Sequence, residues 1–64
     1  MEKLYENMSL AERGERTLAR KDGYLHYRQS VMLAGWYILI VGDTRVRLFP
    51  DKVALFEHVG ERFG

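Results

Sequence analysis

The residues of this chain that could bind a metal or take part in catalysis are few and scattered. Only two histidines occur, and there is no cysteine to act as a thiolate ligand or nucleophile. Glu57 and Glu61 lie within one helical turn of His58, while His26 is far away in the sequence. A metal site needs ligands that converge from more than one segment. We therefore interpret both histidines as surface or core residues and predict no metal and no cofactor.

Hydroxyl and carboxylate groups have local structural explanations. Ser9 fits a helix cap and Ser30 a strand, and the aspartates fit turns and a second cap, at Asp22, Asp43 and Asp51. The sequence contains no GxSxG nucleophile elbow, no HExxH motif and no phosphate-binding glycine loop. Because no base, nucleophile and orienting group can be assembled, we do not expect an enzyme.

Basic side chains recur along one side of the first predicted helix, at Arg13, Arg16 and Arg20, with Lys21 beside them. Spacings of three and four residues align side chains on a helix. Such a stripe could contact phosphates or an acidic partner. Glu12 and Glu15 interleave with it, however, and this is equally typical of a solvated helix face.

The overall charge limits the functions that are open to the protein. Ten basic and nine acidic residues give a formal charge of +1, far from the strongly positive balance of a dedicated nucleic-acid binder. Arg28, Arg45 and Arg47 on predicted strands could still form a local platform for single-stranded nucleic acid. Arginines on an edge strand also protect against edge-to-edge aggregation. A small nucleic-acid-binding protein remains an alternative hypothesis.

Length and composition predict one small domain over residues 1–64, of marginal stability and without disulfides. The absence of cysteine favours the cytoplasm. The apolar run at residues 31–41 is too short for a membrane-spanning helix, which needs about 20 residues, so no membrane association is expected. Residues 1–6 carry acids and do not resemble a secretory signal.

Local signals predict helices at both ends of the domain. Ser9 and Glu12 have capping-box spacing, so a helix is expected from there to about Lys21, with Gly23 as its stop. Asp51 is the expected N-cap of a second helix. Its predicted apolar stripe consists of Val53, Phe56, Val59 and Phe63.

Between the helices, the sequence predicts three strands at residues 24–33, 36–41 and 45–49. Ala34-Gly35 is the expected first turn, and Gly42-Asp43 or Asp43-Thr44 the second. The fold class is therefore α+β, a three-stranded antiparallel meander flanked by an N-terminal and a C-terminal helix, in the order α-β-β-β-α.

The predicted sheet has two apolar faces. With two-residue turns, side-chain alternation puts one set of residues on a first face, namely Tyr37, Leu39, Val41, Val46 and Leu48. The second face then carries Trp36, Ile38, Ile40, Arg45, Arg47 and Phe49, joined from the first strand by Leu25, Tyr27, Val31 and Leu33. The C-terminal helix is expected to cover the first face.

What covers the second face decides the function. The N-terminal helix, a second copy of the chain or a foreign protein would each suffice. Tryptophan, aromatic and arginine side chains dominate binding hot spots. Our first hypothesis is a non-catalytic protein-binding module that acts by steric occupation of a partner protein or complex. Its expected partner-binding residues are those named for the second face, Trp36, Ile38, Ile40, Arg45, Arg47 and Phe49.

In size and character this small, cysteine-free chain resembles the inhibitors that phages and other mobile elements encode against host machinery, anti-CRISPR proteins among them. The resemblance implies inhibition of a host protein or complex. No residue motif matches a particular family, so no site residue follows from it. A structural homodimer or assembly subunit is the remaining alternative.

Overall fold

The computed structural model describes residues 7–21 and 23–64. Its elements are α1 (Leu10–Arg20), β1 (Leu25–Ser30), β2 (Trp36–Val41), β3 (Thr44–Phe49) and α2 (Lys52–Arg62). The strands form one antiparallel sheet in the order β1-β2-β3. The predicted α+β fold, a meander with a helix at each end, is confirmed. Residues 1–6, interpreted as lacking a secretory signal, and Asp22, assigned to a turn, lie outside the described residues.

Helix α1 begins at the predicted capping box. The Ser9 hydroxyl accepts a hydrogen bond from the Glu12 amide at 3.2 Å, and the Ser9 amide donates to the Glu12 carboxylate at 3.0 Å. Lys21 is the C-cap, and Gly23 has the positive φ of 99° expected of a helix stop. Both ends of this helix therefore follow from local signals.

Helix α2 begins where Asp51 caps it, through a hydrogen bond of 2.8 Å from the Ala54 amide to the aspartate side chain. The predicted apolar stripe is only partly correct. Leu55 and Val59 are fully buried, whereas Val53 is 57% exposed and Phe63 is 38% exposed. The cause is that α2 lies between the sheet and α1, so its buried surface is wider than one stripe and displaced from the predicted one.

The two helices cross with their backbones in contact at Gly14 and Gly60. A Cβ atom added to Gly14 would overlap the Phe56 carbonyl oxygen, and one added to Gly60 would overlap the Leu10 carbonyl oxygen. Glycine in a helix interior costs about 1 kcal/mol relative to alanine. Here that cost is offset by the close packing of the two helices, which any residue larger than glycine would prevent.

The connection between β1 and β2 is longer than predicted and changes the face of β1. Ser30 pairs with Trp36, so residues 31–35 form a five-residue loop and β1 ends three residues before the predicted position. Leu25 therefore lies opposite Val41, and Tyr27 opposite Leu39. The prediction that these two residues join the Trp36 face is wrong, because an odd shift in register moves every side chain of a strand to the other face.

A β-bulge in β3 moves the side chains that follow it to the opposite face of the sheet from the one predicted. The turn is Gly42-Asp43, since Val41 pairs with Thr44 and Ile40 with Arg45. The next pair is Leu39 with Arg47, which leaves Val46 as an extra residue.

Beyond this bulge, Phe49 pairs with Tyr37 and Leu48 pairs with Ile38. The placement of Arg47 and Phe49 on the Trp36 face is therefore wrong. So is the placement of Leu48 on the opposite face, beside Tyr37.

The face of the sheet that packs against α2, here called the inner face, consists of Leu25, Tyr27, Tyr37, Leu39, Val41 and Phe49. Its core residues join Leu55 and Val59 of α2, which confirms that the C-terminal helix covers the Tyr37 and Leu39 side. Helix α1 packs on α2 and adds Leu18 to the same core. The alternative in which the N-terminal helix covers the second face is thus wrong for α1.

Neither α1 nor α2 combines the length and the apolar character that a helix needs to cross a membrane.

Candidate protein-docking surface

The second face of the sheet, here called the outer face, combines apolar and basic side chains. Strand pairing places on it His26, Arg28, Ser30, Trp36, Ile38, Ile40, Arg45 and Leu48. Both described helices pack on the inner side of the sheet. The outer face is therefore the surface on which a function can be sought.

The centre of the outer face is buried, whereas the side chains around it are partly exposed. Ile38 is only 4% exposed, with Arg28 and Leu48 directly opposite it on the two neighbouring strands. Trp36 at the end of β2 is 41% exposed, and Leu48 is 43% exposed. The middle strand thus supplies an apolar floor, and larger side chains remain accessible beside it.

The loop of residues 31–35 presents further apolar side chains at the same end of the sheet as Trp36. Val31 is 90% exposed and Met32 is 95% exposed, with Leu33 partly exposed behind them. Exposed loops usually carry polar or turn-forming residues. The mixture of aromatic and β-branched residues at 24–33 predicted a strand that continues to Leu33, so the sequence did not indicate that Val31 and Met32 form an exposed loop tip.

Hydrogen bonds hold this loop in a defined conformation. The Gly35 amide donates to the Ser30 carbonyl at 2.8 Å, and the Gln29 side-chain amide donates to the Gly35 carbonyl at 2.9 Å. Ala34 has a φ of 58°, in the left-handed region that costs a non-glycine residue about 1–2 kcal/mol. Backbone strain of this kind persists where the surroundings enforce it, and it concentrates at binding sites.

A shallow groove connects the loop to β3. It has a volume of about 330 Å³ and is lined by Leu33, Ile38, Arg45, Val46, Arg47 and Leu48. The lining is aliphatic except for the two arginines, which carry its only charges. The groove combines residues of the loop, the middle strand and the edge strand.

The charge on this part of the protein is of one sign. The three strands and the loop contain Arg28, Arg45 and Arg47 but no aspartate or glutamate. The nearest acid in sequence is Asp43, in the turn between β2 and β3. An apolar surface with a positive border complements a partner that is apolar and acidic.

Of the predicted partner-binding residues, Trp36, Ile38, Ile40 and Arg45 do lie together on the outer face. Phe49 does not, because it is 5% exposed and part of the core. Arg47 does not lie there either, because it pairs with Leu39 of the inner face and its guanidinium lies 5.6 Å from the centre of the buried Phe49 ring.

His58 also packs against Phe49, with 5.2 Å between the ring centres. Burial lowers the pKa of His58, and the positive charges of Arg47 and Arg62 lower it further, against a smaller opposing effect of Glu61. The histidine is therefore part of the packing around the core. Within residues 7–21 and 23–64, no three histidine, aspartate or glutamate side chains are placed to hold a metal ion.

The basic residues of α1 are separate from those of the sheet. Arg16, Arg20 and Lys21 are exposed and Arg13 is half-buried, on a helix that packs against α2 on the inner side. The fold therefore does not combine this stripe and the outer-face arginines into one basic surface.

Comparison with known protein families, with curated proteins and with solved structures finds no match to this chain. The functional proposal therefore depends on the residues of the docking surface alone.

Proposed function

We propose that this protein is a non-catalytic protein-binding module that acts by steric occupation of a partner protein or complex. The docking surface comprises the outer face and the loop of residues 31–35. The observation that carries the proposal is the nearly complete exposure of Val31 and Met32 on a hydrogen-bonded hairpin, next to the exposed Trp36.

The energetics of a small domain support this proposal. A chain of 64 residues has little apolar area with which to build a core. This one leaves Val31, Met32, Trp36 and Leu48 at least 40% exposed on one side. Contiguous exposed apolar patches of this kind are typical of interaction sites.

The mode of action that we propose is inhibition. A rigid hairpin with no catalytic grouping changes a partner by covering part of its surface, as the phage-encoded inhibitors that this chain resembles in size do. We place this activity in the cytoplasm, since the chain needs no disulfides.

Binding of single-stranded nucleic acid is the second candidate, favoured by the proximity of Trp36, Arg28 and Arg45 on one face. Among the described outer-face residues, Trp36 is the only tryptophan, tyrosine or phenylalanine, whereas stacking platforms use several such rings. A homodimer through the outer face is the third candidate. Such a dimer would bring two positively charged surfaces together, and the strands of neither copy contain an acidic residue to pair with them. Electrostatic repulsion therefore disfavours the homodimer.

The test is a tagged pull-down from bacterial lysate, with and without nuclease, followed by titration of the purified captured protein. The variant Met32→Ser is expected to weaken that binding about tenfold or more, since apolar anchors dominate interfaces. Its melting temperature should not change, because the side chain makes almost no contact in the free protein.

The matched control is Val53→Ser, which removes an exposed apolar side chain from α2 on the other side of the sheet. It should bind as the unmodified protein does. Capture that disappears with nuclease would favour the nucleic-acid candidate, and a concentration-dependent dimer in light scattering that Trp36→Ser abolishes would favour the homodimer.

A further inference from the structure

We infer that the groove between the loop and β3 binds an apolar side chain from an acidic segment of the partner, a carboxylate of which pairs with Arg45. This inference rests on the proposed function and specifies the chemistry of the partner. It concerns the groove rather than the loop tip.

The shape and lining of the groove favour a single side chain over a whole ligand. Its volume of about 330 Å³ is at the lower end of the range for ligand pockets, which is about 300–1,000 Å³. Ile38 forms a fully packed floor, while Leu33 and Leu48 remain partly exposed on either side. A leucine, methionine or phenylalanine side chain that enters the groove would complete the burial of both leucines.

The charges at the groove specify what must surround that side chain. Arg45 lies on the outer face at the groove, opposite Ile40, and the described strands contain no acid that could neutralise it. Guanidinium groups bind carboxylates through paired hydrogen bonds. The matching segment therefore carries aspartate or glutamate next to its apolar anchor.

The same features disfavour the other occupants. A nucleic acid would supply phosphates for Arg45, but the groove lining contains no aromatic ring on which a base can stack. A second copy of the chain would have to insert an apolar residue flanked by acids. Beside Glu57 of α2 this is not possible, because Leu55 is fully buried and Phe56 packs against the core. Phe63, two residues after Glu61, is 38% exposed, so light scattering of the unmodified protein tests insertion by a second copy.

A displayed library of random peptides, of roughly twelve residues each, provides a defined probe for this chemistry. The immobilised protein is expected to enrich peptides that combine an apolar residue with two or more acids. Binding of a synthetic enriched peptide can be followed by Trp36 fluorescence, because Trp36 is the only tryptophan and is partly exposed on the outer face. The same peptide with its acids replaced by amides should bind about tenfold more weakly.

Two variants with the same change of charge locate the binding site. Arg45→Glu should lower the affinity for the acidic peptide about tenfold or more, because it replaces attraction at the groove by repulsion. Arg16→Glu, on the exposed side of α1, should change it less than about twofold, since that position is remote from the groove. Oligothymidine serves as a separate probe and is expected not to displace the peptide.

Three results would overturn the inference. They are a library that enriches no peptide, enriched peptides without acids, and equal effects of Arg45→Glu and Arg16→Glu. Displacement of the peptide by oligothymidine would likewise assign Arg45 to phosphate binding. If a captured partner protein still depends on Met32 but not on Arg45, the proposed function stands and only the acidic-segment inference fails.

Discussion

The inner and outer faces of this sheet are built from the same three strands, yet they differ in what completes them. On the inner face, Leu25 and Leu39 are fully buried because α2 supplies Leu55 and Val59 to pack against them. On the outer face, Trp36 and Leu48 retain about two fifths of their exposure. Apolar content alone therefore does not distinguish a core face from a recognition face. The supporting element does.

The largest loss of stability is expected on the inner side of the sheet, from a substitution where α1 and α2 cross. Gly60→Ala should destabilise the fold by about 3 kcal/mol or more, because the new methyl group overlaps the Leu10 carbonyl oxygen and the backbones must separate. Urea denaturation followed by circular dichroism measures the loss.

The control for this substitution is Gly23→Ala, where nothing lies within reach of the new methyl group and only the positive φ opposes it. Its cost should be about 1 kcal/mol. Equal losses for the two variants would mean that α1 and α2 do not cross in contact.

A pair of leucines compares the two faces directly. Leu39→Ala on the inner face should cost about 2–5 kcal/mol, as buried leucine deletions do. Leu48→Ala on the outer face should cost less than about 1 kcal/mol, because much of that side chain is already in water. Both losses of stability are measured as shifts of the urea midpoint, with the slope of the unfolding free energy against urea concentration unchanged. A Leu48→Ala variant as unstable as Leu39→Ala would show that the outer face is part of the core.

The smallest expected effect is the pH dependence of the inner side, through His58. Its pKa is lowered in the folded protein by burial and by Arg47 and Arg62, so the unfolded chain takes up the proton more readily. The stabilising contribution is therefore complete above the unfolded pKa of about 6.5 and is lost as the pH falls below it.

Melting temperatures measured between about pH 8 and pH 5.5 test this expectation. The unmodified protein should lose slightly more stability over this interval than His58→Gln does. Identical pH profiles of the two proteins would contradict it, and would remove His58 from the interactions that stabilise the surroundings of Phe49.

How far the sequence predicts this structure depends on whether the controlling signal is local. Ser9 with Glu12 and Asp51 predicted both helix starts correctly, because a cap is a contact between residues three positions apart. A glycine inside a helix, such as Gly14, is recognisable from the sequence as destabilising. The helix contact that requires it involves Gly60, which lies more than forty positions away. Contacts of that range leave no pattern in a single sequence.

The candidate site was predicted in part for the same reason. Trp36, Ile38 and Ile40 share a face in any register, since they alternate along one strand. Arg45 joined them because the turn at Gly42-Asp43 was among those expected. Phe49 was misplaced, because no residue type announces the extra residue at Val46. The exposure of Met32 at the loop tip was not predicted, because an apolar run of this kind is typical of a buried strand and here forms a loop.

The bulge at Val46 also constrains how this hairpin can change over evolutionary time. Deleting that single residue would leave the composition almost unaltered, yet would turn Phe49 towards solvent and Leu48 towards α2. Substitutions on the outer face can change the proposed docking surface one side chain at a time. The number of residues between Gly42 and Pro50, in contrast, is fixed, so descendants of this chain should diverge there in identity and never in length.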